Sequence, residues 1–350
     1  MTDRERWQLR GLVRSCRIER IWRANCGPDG CDLQQRGDAS MIEFSRDGTL
    51  LRSWHRNTDG SQFATVGEVD ADGRITSVET QTLNAPVTRR RHVYDAAGRL
   101  IGIWAASADA GEILAERYEY DPDGQRTKTV QFDVSAPGEN ISYSWGVEGT
   151  DSAFSAIGAT SVTTVYGASD RPIALLFRDA QDTVISRVVF TYDENGHLID
   201  EAQNVETGGL PAEMLENLNE AQLGALHALL GTTDQPRRRM HRYDAYGRRI
   251  ETLSSAFGPM GGNRKTMAYN DQGDVAEEHW EDDSREFEIS DDGRLLEKAG
   301  SERLTRSEAR MRYEYDGRGN WTIKTVESRN SPDAEFVMST TERRTLAYYD

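Results

Sequence analysis

The stretch His92-Val93-Tyr94-Asp95-Ala96-Ala97-Gly98-Arg99-Leu100-Ile101-Gly102-Ile103-Trp104 decides how the rest of the chain is read. A Tyr-Asp pair, two residues of little consequence, a Gly and an apolar run spell one β-hairpin. Asp opens a type I turn because its carboxylate accepts from backbone N–H groups two residues on. Gly98 closes the turn at the positive-φ, G1-bulge position with little steric cost.

The chain repeats this unit. Aligned on the glycine, copies stand at Gly48, Gly73, Gly98, Gly124, Gly196, Gly247, Gly273, Gly293 and Gly319. Four places earlier are Phe44, Val69, Tyr94, Tyr120, Tyr192, Tyr243, Tyr269, Ile289 and Tyr315, aromatic or β-branched in every copy. Three places earlier stand Ser45, Asp70, Asp95, Asp121, Asp193, Asp244, Asn270, Ser290 and Asp316, all turn-opening residues. Leu50, Ile75, Leu100, Leu198, Val275 and Leu295 follow two after the glycine. Tyr118-Glu119-Tyr120 and Tyr313-Glu314-Tyr315 alternate aromatic and charged, as a strand with one covered and one wet face requires. A recurring step of about 25 residues marks a repeat architecture.

On Tyr94-Asp95-Ala96-Ala97-Gly98-Arg99-Leu100, Tyr243-Asp244-Ala245-Tyr246-Gly247-Arg248-Arg249 and Tyr315-Asp316-Gly317-Arg318-Gly319-Asn320-Trp321, the chain resembles the RHS/YD-repeat family over roughly residues 40 to 350. The resemblance implies a spiral β-shell, partial at this length. It implies little about activity, since members range from toxin-enclosing shells to cell-surface proteins. Toxin-bearing members end in a self-cleavage motif and a variable C-terminal toxin. Here the Pro after Asp121 belongs to an ordinary repeat turn, and no toxin follows Asp350.

Composition fits an all-β repeat array. Hydrophobic residues make up 37% of the 350, and the mean hydropathy of −0.71 suits a sheet with one face always wet. The formal net charge of −17, from 59 acidic against 42 basic residues, opposes a phosphate backbone, so nucleic acid is not an expected partner. No run approaches the ~20 apolar residues of a membrane span. The start, Met1 to Trp7, lacks the apolar core of a signal peptide, so the cytoplasm is the default compartment unless a leader has been trimmed. Cys26 and Cys31 bracket a Gly-Pro-Asp-Gly turn where a cross-hairpin disulfide is sterically conceivable. With Cys16 they read as reduced or incidental thiols, given the missing export signal, and the four ligands of a zinc site are not suggested.

Four segments follow. Residues 1–40 read as N-terminal capping strands over an otherwise open edge. Residues 41–207 hold YD-type hairpin repeats, degenerate over 136–185, where Tyr166-Gly167 stands about where a turn is due. Residues 208–232 carry a capping-box start at Asn219 to Gln222 and the stripe Leu223, Leu226, Leu229 and Leu230, which predicts a helical insertion. Residues 233–350 return to repeats, and Leu346 to Asp350 reads as the incoming strand of one more unit. Such a sheet must roll, its Tyr, Leu and Trp face inward, into a curled, shell-like or solenoidal wall.

No catalytic, cofactor or metal motif emerges. Asp70 to Gly73 and Asp121 to Gly124 look like calcium loops but lack the further oxygen ligands and terminal Glu. Among 59 acidic residues no pair is singled out as a glycosidase couple. His92 and His241 share one repeat column and read as packing residues. Trp54 and Trp104, each six after its Gly, are the candidate ligand-face aromatics, able to stack on sugar rings. The sequence thus suggests a non-enzymatic repeat scaffold binding a protein or peptide. A carbohydrate-binding or glycan-processing surface protein, or a partial shell around a separately encoded cargo, are the alternatives.

Overall fold

Hairpins that repeat along a chain leave two free sheet edges, and here those edges meet. The computed structural model describes residues 2–22, 26–27, 30–31, 36–82, 87–107, 110–132, 145–146, 153–156, 158–205, 236–255, 261–285, 287–289, 295–298 and 300–350. Twenty antiparallel strands form one sheet in which each strand pairs with its sequence neighbours in the wall. The strand Val13–Trp22 pairs on one side with Arg36–Phe44 (Cys16 opposite Ile42) and on the other with Val337–Tyr348 (Cys16 opposite Leu346). Of the curled, shell-like or solenoidal wall expected, the structure is the closed form rather than the solenoidal one, and the first strand, which pairs with the first repeat, also completes the unit that the last strand begins. Closure removes both edges, which an exposed cap would only have screened.

Strands alternate in direction, so the connections fall on two rims. On one rim all nine connections, 45–49, 70–74, 95–99, 121–125, 167–171, 193–197, 244–248, 270–274 and 316–320, are five residues long. Each carries the turn read from the sequence: Gly98 N donates to Asp95 O (3.0 Å) and Asp95 N to Arg99 O (2.9 Å), with the register shifting beside the turn. The opposite rim takes the long connections 23–35, 133–160, 206–236 and 285–302.

One of the nine copies departs from the reading above, and one wall turn lies outside the glycine alignment. The unit at 167–171 has no glycine in the fourth place; Asp170 takes φ +55° there, which Asp tolerates better than most side chains. The copy at Gly293 lies outside the described residues; the strands flanking it, Phe287–Ile289 and Leu295–Glu297, pair among the described residues with each other and not with the wall. Its 20-residue step was the signal that it stood out of phase. The helix expected over 208–232 lies outside the described residues. An unexpected short helix, Asp3–Arg6, is capped by Thr2, whose hydroxyl accepts from Glu5 N (3.2 Å).

The wall has one covered face and one open face. In Val184–Tyr192, Ser186, Val188 and Phe190 are buried while Arg187, Val189 and Thr191 are exposed. The tyrosines of the repeat lie on the covered side. Side chains converge on the concave side of a rolled sheet and splay on the convex side, so the covered face is the inner one. Two apolar clusters thicken it: Val162, Leu175, Phe177, Ile185, Val188 and Phe190, and Leu9, Val13, Cys16, Ile18, Ile42 and Phe44. Burial among these pushes the Cys16 thiol up to about 11, which leaves it protonated and unreactive. The backbones of Cys26 and Cys31 face each other in a two-stranded ribbon, and their side chains fall outside the described residues.

Candidate functional site

The five-residue turns are bolted into a ring. Tyr94 Oη donates to Ile75 O (2.8 Å), Tyr120 to Leu100 O (2.8 Å), Tyr192 to Pro172 O (2.7 Å), Tyr243 to Leu198 O (2.8 Å) and Tyr269 to Arg249 O (2.6 Å). In each case the acceptor is the first strand residue after the preceding turn. The residue after the glycine supplies the second bolt. Arg99 Nε donates to Asp95 Oδ2 (2.8 Å) in its own turn while its guanidinium lies 5.0 Å from the centre of the Tyr120 ring in the next unit. Arg74 does the same with Asp70 and Tyr94 (5.3 Å), and Arg248 with Asp244 and Tyr269 (4.7 Å). At 193–197 the Arg is replaced by His197, which stacks on Tyr243 at 4.7 Å and bonds Asp193 Oδ2 (3.1 Å). Sequence reasoning assigned Asp and Gly to the turn but missed this role of the Tyr hydroxyl. The signal available was Arg recurring after the glycine at 74, 99 and 248.

The ring is chemically saturated. Asp70 accepts from Asp72 N (3.0 Å), Arg74 N (2.9 Å) and Arg74 Nε (2.8 Å), so its oxygens are committed to the turn rather than to a cation. The backbone N–H of Arg74 is the main reason its carboxyl sits below the ordinary range, and that of Arg99 does the same for Asp95. The ring closes through the chain ends: Arg10 N donates to Asn320 Oδ1 (2.6 Å), Asn320 Nδ2 to Arg10 O (2.8 Å), and Tyr349 Oη to Phe44 O (2.6 Å).

One polar rung crosses the covered face. Glu201, His241 and Thr252 stand on consecutive strands, with His241 Nε2 3.1 Å from Glu201 Oε1 and Nδ1 3.1 Å from Thr252 Oγ1. A carboxylate only accepts, so Nε2–H donates to Glu201 and Nδ1 is left to the hydroxyl. Arg239 Nη1 reaches the other Glu201 oxygen at 3.4 Å. The side chains of Glu201 and His241 are 0% and 1% exposed. Hydroxyl, imidazole and carboxylate stand in the order of a hydrolase triad. Thr252, however, is not part of the adjoining cleft of about 600 Å³, which His197, His241, Tyr243 and Tyr246 line at the turn rim. The rung ties three strands together. His92, in the same repeat column, is half-buried, and burial holds its imidazole below the ordinary range.

Trp54 and Trp104 lie on the open face, away from the tyrosines. The bulge at each turn reverses the parity: Phe44 is opposite Leu50, but Met41 is opposite Trp54; Tyr94 is opposite Leu100, but Arg91 is opposite Trp104. Four strands apart, they stand roughly 19 Å from each other at ~4.8 Å per strand and form no joint platform. Arginine covers each ring, Arg56 at 5.9 Å from Trp54 and Arg91 at 6.0 Å from Trp104. Elsewhere this face is laced by ion pairs such as Arg91–Glu112 (2.7 Å), Arg264–Glu251 (2.6 Å) and Arg306–Glu281 (2.9 Å). Among the described residues no group of three metal-ligating side chains is assembled, and no helix is long and apolar enough to cross a membrane.

These features define an all-β protein whose hairpin repeats close into a twenty-stranded antiparallel barrel, bolted along one rim. No protein-family model matches the chain, and no curated protein does. Among solved structures it is similar to the crystal structure of TcdB2-TccC3-Cdc42, at 13% identity and a TM-score of 0.33 over 83% of this chain and 16% of that one. A crystal structure of TcdB2-TccC3 gives 14% identity and 0.33 over 94% and 18%. A porin-like protein from Bacteroides uniformis ATCC 8492 gives 8% identity and 0.36 over 96% of each chain. The chain spans less than a fifth of the TcdB2-TccC3 chains it matches.

Proposed function

We propose that this chain is a non-enzymatic YD-repeat scaffold that binds a protein or peptide partner. The observation that carries the reading is the division of labour between the rims. One rim is a ring of nine identical-length turns, stapled Tyr to carbonyl and Arg to Asp; the other takes every long connection. A rigid wall with its variable segments gathered at one end is the arrangement by which scaffolds present binding residues. The polar cluster with the most catalytic appearance, Glu201–His241–Thr252, is spent on joining strands. The Arg–Glu ladders of the open face support a wall bathed in water, since the outside of a membrane barrel is an apolar band.

Crosslinking mass spectrometry on complexes captured with the full chain tests the reading. A partner crosslinked through Lys128, on the open face, or through the long-connection rim is the result expected of a scaffold. Crosslinks confined to Lys265 and Lys324, which alternate onto the covered face, would mean an enclosed cargo. Capture of no macromolecule together with turnover of a small molecule would overturn the proposal.

A further inference from the structure

On the open face near the closing strand, one patch departs from the ion-pair lattice. Met41, Trp54 and Ala64 form a row across three adjacent strands, and Val66 stands beside it, opposite Arg52. Met41 is 37% and Val66 41% exposed, so the row offers aliphatic as well as aromatic surface to solvent. Arg52 and Arg56 flank Trp54 on its own strand, both exposed. Among the described residues neither makes an ion pair, although across this face Arg91, Arg238, Arg242, Arg264, Arg306, Arg312 and Arg329 all do.

We infer that this patch is a docking site for an acidic, partly apolar peptide segment, the partner class that the scaffold reading leaves open and on which this inference rests. Two guanidinium groups without an ion pair among the described residues, against the single carboxylate of Glu43 opposite Arg52, leave a net positive site that selects carboxylates in a chain of net charge −17. Arg52 and Arg56 are four residues apart on a strand, about 13 Å at ~3.3 Å per residue, which matches carboxylates four apart on an extended peptide. Between them Trp54, with small Ala64 beside it, leaves room for an apolar side chain against the indole. The exposed Met41 and Val66 fit apolar side chains better than sugar rings, which favours a peptide over an acidic glycan. Arg56 already lies near the indole, so a carboxylate there would be met by a guanidinium held in place.

The test is fluorescence anisotropy with the full chain and a fluorescein-labelled nonapeptide Glu-Ser-Leu-Ser-Glu-Ser-Leu-Ser-Glu, in which Glu and Leu share one face of the extended chain, against a Gln-Leu control with Gln in place of each Glu. Expected are saturable binding to the Glu-Leu peptide, at least tenfold weaker binding to the Gln-Leu control, and weakening as salt is raised from 50 to 300 mM. Arg52→Glu/Arg56→Glu should lose at least tenfold and Trp54→Ala at least fivefold, with circular dichroism unchanged. Arg312→Glu, on the same face but outside the patch, should change affinity less than twofold. Equal binding by the double charge reversal, equal binding of the Gln-Leu peptide, no binding by the wild type, or displacement by polyuronate at lower concentration than by unlabelled peptide would each overturn the inference. Should the charge-reversed chain still capture a native protein partner as the wild type does, this site falls and the scaffold reading stands; should neither capture one, the scaffold reading falls.

Discussion

Tyr94 Oη donates to the carbonyl of Ile75 across 2.8 Å, one repeat back along the chain. The same bond from Tyr120 to Leu100 shows that the hydroxyl, rather than the ring alone, explains why tyrosine recurs before the turn. Phe44 and Val69 occupy the column without a hydroxyl, so the position tolerates its loss. Tyr94→Phe should cost about 1 kcal/mol, the net worth of one such bond, and Tyr94→Phe/Tyr120→Phe about twice that. Urea denaturation should show a lower midpoint at unchanged slope. No shift in the double variant would mean the carbonyls find other partners.

The turn glycine does two things where the preceding unit leans on it. Gly247 has φ +75°, and a Cβ added there would meet His197 Nε2 at 2.7 Å; Gly60, on the other rim, has φ +85° and nothing within 4 Å. Both should suffer from the left-handed backbone on substitution by Ala, by roughly 1–2 kcal/mol. Gly247→Ala should lose more than Gly60→Ala, and the excess reports the side chain resting on the turn. Equal losses would say that backbone conformation alone selects glycine on this rim.

Much of this was legible in the sequence. Asp95 and Gly98 encode their turn locally, through a side chain bonding its own backbone and a φ that only glycine adopts freely, and local chemistry can be read residue by residue. The turn at 167–171 was due beside Tyr166-Gly167 but fell outside the glycine alignment because Asp170 does the work of glycine. Gly293 misled because a free-standing ribbon uses the same grammar. Trp54 was assigned the wrong face because a single bulge residue inverts every later side chain on its strand. Closure was illegible for another reason: whether Val13–Trp22 meets Val337–Tyr348 depends on the summed twist of all the strands between them.

His197 is the weak link of the ring. It stands where Arg74, Arg99 and Arg248 stand and gives Asp193 the same backbone N–H, but its side chain reaches the carboxylate with one ring nitrogen at 3.1 Å where Arg248 offers Nε at 2.8 Å and Nη2 at 2.7 Å. His197→Arg restores the majority arrangement and should raise the melting temperature at neutral pH by about 2 °C, for a gain below ~1 kcal/mol. A lower melting temperature would show that the cleft beside Tyr246 is shaped for the imidazole.

The turn carboxylates set the acid limit of the fold. Backbone N–H groups hold Asp70, Asp95 and Asp193 below the ordinary range, so each stabilises the fold fully above its unfolded value near ~4. That contribution disappears as pH falls through the depressed folded value. Asn270 shows that an amide can hold the same turn, accepting from Gln272 N and Asp274 N at 3.0 Å. Asp95→Asn should therefore melt lower than wild type at pH 7 but lose less between pH 5 and 3. Parallel curves for the two proteins would sink the assignment.

The rung Glu201–His241–Thr252 makes the sharpest stability prediction, because its members lie in a wall that is otherwise half wet. Glu201 is 0% exposed and answers to both His241 and Arg239, so Glu201→Ala leaves the buried His241 donor facing a cavity and takes the partner from Arg239, which is 37% exposed. Removing one partner of a buried pair costs about 3–5 kcal/mol, well above the ~1 kcal/mol of a Tyr hydroxyl. Replacing both partners with apolar side chains of similar volume, as in Glu201→Met/His241→Leu, should recover much of that loss, since no buried donor is then left without its acceptor. The double-mutant cycle, followed by thermal unfolding, separates the two possibilities. A double variant no more stable than Glu201→Ala would mean that the rung fixes strand register in a way apolar packing cannot replace.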